Sequence, residues 1–157
     1  MSRLLLSVLA IALFVMSPSV AHAADPLVGV WRLQSQEING EKSNTEALTL
    51  KVSESGDKLT FAFSVPIDDI YFVTTSYTLR LDGSDADIKN ANGETIGTIQ
   101  MRRSRAGQYT LAMKGPNRPD SRGTLTIAGD GNTLVSESDV TQAGRKLHSK
   151  QAFARNQ

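Results

Sequence analysis

The chain has 157 residues, of which 17 are basic and 16 acidic, and it contains no cysteine. That length supplies one domain with its own core. A net charge near zero leaves no electrostatic footprint for nucleic acid, and the lack of cysteine excludes disulfides, thiol chemistry and a lipid-modified cysteine anchor.

The first 23 residues have the three parts of a secretory signal. Arg3 is the positive start, Leu4 to Met16 are apolar apart from Ser7, and Ala21-His22-Ala23 is an A-x-A cleavage site after Ser17-Pro18-Ser19. An apolar run of about 13 residues is too short to cross a ~30 Å hydrocarbon core. Cleavage after Ala23 leaves one domain, residues 24–157, with no membrane anchor. Without Arg3 the remaining basic residues match the 16 acidic ones, so this domain is formally neutral. The expected location is the periplasm or the medium, and the signal has a bacterial look.

From there on no helical period is sustained. Period-two alternation recurs instead, broken by Gly, Asn and Asp turns. Gly29, Trp31 and Leu33 share one face of a first strand that ends at Asn39-Gly40. Leu48, Leu50 and Val52 share the next, and Ser55-Gly56-Asp57 turns the chain into Leu59-Phe61-Phe63-Val65. Pro66, which lacks a ladder donor, ends that strand. The longest strand is expected from Ile70 to Leu81, with Tyr71, Val73, Tyr77, Leu79 and Leu81 on one side. Asp82-Gly83 and Asn92-Gly93 bracket a short piece around Ile88. Ile96 to Arg103 and Gln108 to Lys114 read as a hairpin closed by Arg105-Ala106-Gly107. Residues 115–120, with two prolines, form a loop. Three strands follow: Gly123 to Ala128, Thr133 to Val140 and Lys146 to Ala154.

Strands joined by such short links are antiparallel neighbours in space. A meander of eight to ten of them leaves two exposed edges unless it closes. The expectation is therefore an all-β, antiparallel up-and-down barrel of 8–10 strands following the cleaved signal. A seven-stranded sandwich is the rival fold, but it needs longer crossing connections than these.

Leu27-Val28-Gly29-Val30-Trp31-Arg32-Leu33 resembles the opening strand of bacterial lipocalin-like domains, and Ala152-Phe153-Ala154-Arg155 resembles the aromatic-x-Arg/Lys close of their last strand. The resemblance covers nearly all of residues 24–157, although its motifs are short. It implies that Trp31 plugs one end of the barrel with Arg155 over its ring, a cation–π contact of around 0.5–2 kcal/mol. Gly29, Trp31 and Arg155 are thus expected to close the barrel, a structural role. The chain departs from larger lipocalins in having no disulfide and no helix after the last strand. Its Ile38–Glu46 link is too short for the helical lid of fatty-acid-binding proteins.

Catalytic chemistry finds few residues. His148 is the only histidine left after signal cleavage, it sits beside Lys146 and Lys150, and the opposite strand face carries Leu147 and Phe153. With no cysteine, an ordinary zinc site cannot be assembled around it, and a Ser-His-Asp triad would have to use it. Asp82, Asp85 and Asp87 do not follow calcium-loop spacing, since Ala86 falls where a ligand is needed. No glycine-rich phosphate loop opens a helix. No cofactor or metal is expected, and no catalytic residue is assigned.

Candidate cavity residues are Phe61, Phe63, Tyr77, Met101, Arg103 and Tyr109, because ligand cavities are largely apolar with a few polar groups. An inward Arg103, from the basic stretch Arg102, Arg103, Arg105, Lys114, Arg118 and Arg122, could pair with a carboxylate head group. The same inward faces would be ordinary core if the barrel is filled. Three readings stay open. The first is a carrier of a small apolar or amphipathic molecule. The second is a packed barrel acting as a cell-envelope interaction or inhibitor module, and the third a cavity enzyme of isomerase or cyclase type. The oligomeric state is not encoded in any of these features.

Overall fold

The computed structural model describes residues 23–44, 47–68, 70–116 and 119–156. The expected signal segment lies outside them apart from Ala23, as does Arg118. The described chain contains eleven strands and no helix. They are β1 (Gly29–Ile38), β2 (Glu41–Ser43), β3 (Thr49–Ser55), β4 (Lys58–Ile67), β5 (Ile70–Leu79), β6 (Asp82–Asn90), β7 (Thr95–Arg105), β8 (Gln108–Lys114), β9 (Asp120–Ile127), β10 (Thr133–Gln142) and β11 (Arg145–Arg155).

From β3 onward each strand pairs antiparallel with the next, and β11 returns to pair with β1 from Trp31↔Arg155 to Ile38↔Ser149. That last ladder closes the sheet into a barrel and removes the two free edges that an open meander would leave. On its other edge β1 is shared. Gly29 to Arg32 pair with β3, while Gln36 to Ile38 pair with β2. Ten strands therefore circle the barrel, and β2 extends its wall beside the end of β1.

Alternation along each strand sends one set of side chains inward. Trp31 lies opposite Leu50, Phe61 opposite Tyr77, Met101 opposite Leu111, Tyr109 opposite Leu125 and Leu134 opposite Phe153. All ten are buried in one continuous core, together with Leu27, Val52, Leu59, Leu79, Ile88 and Ile99. The core fills the half of the barrel that holds Trp31, here called the floor.

Pro66 does not end its strand, since β4 runs on to Ile67 and Pro66 itself pairs with Tyr71. Two further local expectations need correction. Asp82-Gly83 is not a turn between strands, because β6 begins at Asp82 and the turn is at Arg80-Leu81. Gly83 has φ of 86° at a place where the ladder to β7 shifts between Asp82 and Asp85, so it forms a bulge inside the sheet. The second correction concerns Tyr71 and Val73, which do not share the inward face of Tyr77. The β4–β5 register shifts beside Thr74, so that Phe63 opposes Thr75 but Ser64 opposes Val73. One extra residue flips every side chain beyond it to the other face. Tyr71 and Val73 consequently point away from the interior, and both are exposed.

Candidate functional site

At the floor the chain enters the barrel through a tight turn. Asp25 is buried, and its carboxylate accepts hydrogen bonds from the backbone N–H of Leu27 (2.9 Å), from the Tyr109 hydroxyl (2.7 Å) and from the Arg103 guanidinium. The turn places Leu27 so that its carbonyl accepts the Trp31 indole N–H at 2.8 Å. Arg155 covers the other side of that indole, with its guanidinium 4.2 Å from the ring centroid. It also donates to the carbonyls of Gly131, Val28 and Pro26. Gly29 makes room for this. Its φ of 148° is unfavourable for residues with a side chain, and a β-carbon there would stand 2.6 Å from an Arg155 nitrogen. The Gly-x-Trp triplet is thus explained by packing against the last strand.

Burial, followed by the neighbouring Asp25 carboxylate, holds the Tyr109 phenol well above its ordinary value. An unfolded chain releases this proton near pH 10. The folded chain keeps it at that pH, so above about pH 10 the unfolded state binds fewer protons and stability falls with rising pH. The expected result is a progressive loss of unfolding free energy above about pH 10, with a shallower slope in Tyr109→Phe. Equal slopes in equilibrium denaturation of the two proteins would contradict it.

Above the core lies a cavity of ≈ 210 Å³, open toward the end of the barrel opposite Trp31. One wall is aromatic, formed by Phe61 and Phe63 of β4 and Tyr77 of β5. Phe61 stacks on Tyr77 with centroids 4.9 Å apart and planes 23° apart, and Phe63 lies 6.0 Å from the same ring. The facing wall, from β8 to β11, presents Ser121, Ser136, Ser138 and Gln151 among the apolar Met113, Leu125, Val140 and Phe153. Neither a carboxylate nor a guanidinium, ammonium or imidazole lines this cup among the described residues.

Three of the six cavity candidates, Phe61, Phe63 and Tyr77, line the cup. Met101 and Tyr109 are packed below it in the core, and Arg103 stands at the floor against Asp25. An arginine–carboxylate pair does form in this barrel, but its carboxylate is the chain's own. The serine wall had a signal in the sequence. Ser136, Ser138 and Val140 alternate in register with Leu134, a core residue. Small hydroxyl side chains on an inward face are easily taken for solvent-facing ones, because period-two reading assigns the apolar face inward.

The remaining polar candidates lie outside the cup. His148 is exposed and faces Asp139 at 3.0 Å across the β10–β11 ladder, on the outer wall. Asp82 accepts hydrogen bonds from the N–H and hydroxyl of Ser84, which makes it part of the bulge. Among the described residues no group of three or more histidines and carboxylates is placed to hold a metal ion.

Comparison with solved structures places this architecture. The zebrafish ileal bile acid-binding protein, crystallised with cholic acid, superposes with a TM-score of 0.60 over 84% of this chain and 100% of its own, at 17% identity. The fold is that of the calycin barrels. The S-type phycobiliprotein lyase of Guillardia theta superposes with a TM-score of 0.56 over 84% of this chain and 89% of its own, at 12% identity. No protein-family model matches the sequence, and no curated protein sequence matches it. At these identities the likeness is one of fold.

Proposed function

We propose that the chain is an exported, bacterial lipocalin-like protein whose barrel takes up a small, neutral, amphipathic molecule. The observation that carries this reading is the uncharged cup, with aromatic rings on one side and, on the other, hydroxyls and an amide set among apolar side chains. An aromatic wall favours a flat apolar face by stacking. The polar wall offers partners to a hydroxyl, carbonyl or amide edge that would otherwise be costly to bury. An ionised head group finds no counter-charge there, and burying one unpaired is far more expensive. The uncharged lining supports binding over acid–base catalysis, since proton transfer needs a group titrating near working pH.

Size narrows the ligand further. The cup is smaller than the ~300–1,000 Å³ usual for small-molecule sites, so it suits a molecule much smaller than a bile acid, or one ring system of a larger molecule. Ligand binding in the bile acid-binding neighbour supports the carrier reading by architecture alone. The A-x-A signal at residues 21–23 supports export to the periplasm or the medium.

Native mass spectrometry of the protein purified from its own host envelope tests the proposal. The expected spectrum contains a species heavier by the mass of one small neutral molecule, released on mild activation. A bare chain that also fails to bind a panel of lipids and hydrophobic dyes would leave the carrier reading without support.

A further inference from the structure

Beyond the bulge beside Thr74 the β4–β5 hairpin leaves the barrel wall. On its far side β5 pairs with β6 only at Thr75, Ser76 and Tyr77, because β6 stops at Asn90 and turns away into β7. Among the described residues, Ile70 to Thr74 have no ladder partner on that edge. Among the described residues the arm also carries the exposed large apolar side chains. Ile67, Ile70, Tyr71, Phe72 and Val73 are 45–61% exposed, and β5 has no charged residue along its ten positions. Natural edge strands are usually protected by lysine, proline or a covering element. This stretch of β5 has none of these.

We infer that this edge is a dimerisation strand, occupied by the same edge of a second copy related by a two-fold axis. A free backbone edge is filled by another strand, and in an antiparallel two-fold pair the edge of one copy is complementary to itself. With the axis at Phe72, the midpoint of the free stretch, Phe72 meets its counterpart, Tyr71 meets Val73 and Ile70 meets Thr74. Each is an aromatic or β-branched cross-strand pair of the favourable kind, and no like charges are brought together.

The ends also fit. Pairing must stop at Thr74, since Thr75 and Ser76 already pair with Asn90 and Lys89 of their own β6. Asp68 stands at the tip of each arm, and Lys89 of β6 keeps its own partner, Asp87 at 3.2 Å, so the fit rests on the backbone edge and its side-chain pairs. The same aspartate argues against a lipid occupant, because inserting the arm tip would carry a carboxylate into hydrocarbon.

Sedimentation velocity across a concentration series from nanomolar to submillimolar tests the inference. The wild-type protein is expected to sediment as a dimer, with a dissociation constant raised ~100-fold or more by Val73→Lys, a charge added to an edge that has none. That variant keeps its circular dichroism, and its unfolding midpoint equals that of wild-type protein diluted below the dimer dissociation constant, because the replaced side chain already lies outside the core. The chain has no native cysteine, so Phe72→Cys should form a self-disulfide under mild oxidation. A wild-type protein monomeric throughout the series would overturn the proposal, as would a dimer indifferent to Val73→Lys. Monomers that bind phosphatidylcholine vesicles through the arm would also overturn it and make lipid the occupant. Uptake of a ligand by the cup does not depend on the arm, so either proposal can fail while the other stands.

Discussion

Replacing Trp31 with alanine should lower the unfolding free energy by ~3–5 kcal/mol, the usual cost of deleting a fully buried aromatic side chain. For a domain of this size that corresponds to a drop in Tm of ~10–20 °C. The indole is inaccessible to solvent, donates to the Leu27 carbonyl and lies beneath Arg155. Its loss therefore opens a cavity, strands a buried carbonyl and leaves the Arg155 guanidinium without the ring it covers. Trp31→Phe separates these effects. It keeps most of the apolar volume but loses the N–H donor, and should cost less than half as much. Arg155→Lys should also destabilise, since an ammonium cannot reproduce a planar fork that reaches three carbonyls and stacks on a ring. Thermal and urea unfolding of the three variants would give this order. A Trp31→Ala protein as stable as the wild type would mean that the floor is not what holds the barrel closed.

The second large effect is expected at Asp25. Arg103→Met should destabilise the fold by about 2–4 kcal/mol, because it leaves a buried carboxylate without its counter-charge. The lower part of that range is the better expectation, since the Arg103 side chain is about half exposed and water can partly replace it. Much of the loss should be recovered in the Arg103→Met, Asp25→Asn double variant. An amide in place of the carboxylate still accepts from the Leu27 N–H and the Tyr109 hydroxyl but carries no charge to be stranded. The recovery distinguishes a charge effect from lost packing, which the second substitution would not repair. Strictly additive losses in the double variant would show that Arg103 acts through its aliphatic stem alone.

Much of the architecture can be read from period-two alternation. Leu59-Phe61-Phe63, Met101 and Leu134 take inward positions because each strand has one buried face, and a closed barrel allows one choice of which face that is. The turn dipeptides also mark hairpins, as at Asn39-Gly40 and Asn92-Gly93. The reading fails where the backbone itself breaks the period. Nothing in Thr74 announces an extra residue, yet the bulge there sends Tyr71 and Val73 outward and creates the arm. Gly83 could be a turn or a bulge, and the choice is made by pairing with β7, a long-range contact invisible in the local sequence. Arg103 shows a different limit. Its side chain could reach a ligand carboxylate or an internal one, and the partner it finds, Asp25, is remote in sequence. The cup's polar wall was hidden for a related reason. Serine is indifferent to which face it occupies, so only closure of the barrel reveals that Ser136 and Ser138 look across at Phe63 and Tyr77.

The carrier reading is tested most directly by filling the cup. N-phenyl-1-naphthylamine is neutral, flat and amphipathic, and its fluorescence rises in apolar surroundings. Titrated into the wild-type protein it should give a saturable increase at one site per chain. Ser136→Phe, which places a ring in the cavity without touching the floor, should abolish that increase while leaving the unfolding midpoint within a few degrees of wild type. Val73→Lys should leave the titration unchanged, which excludes the exposed arm as the dye's site. Saturable binding that survives Ser136→Phe, or no binding by the wild-type protein, would contradict a ligand-holding cup and leave the barrel as a packed interaction module.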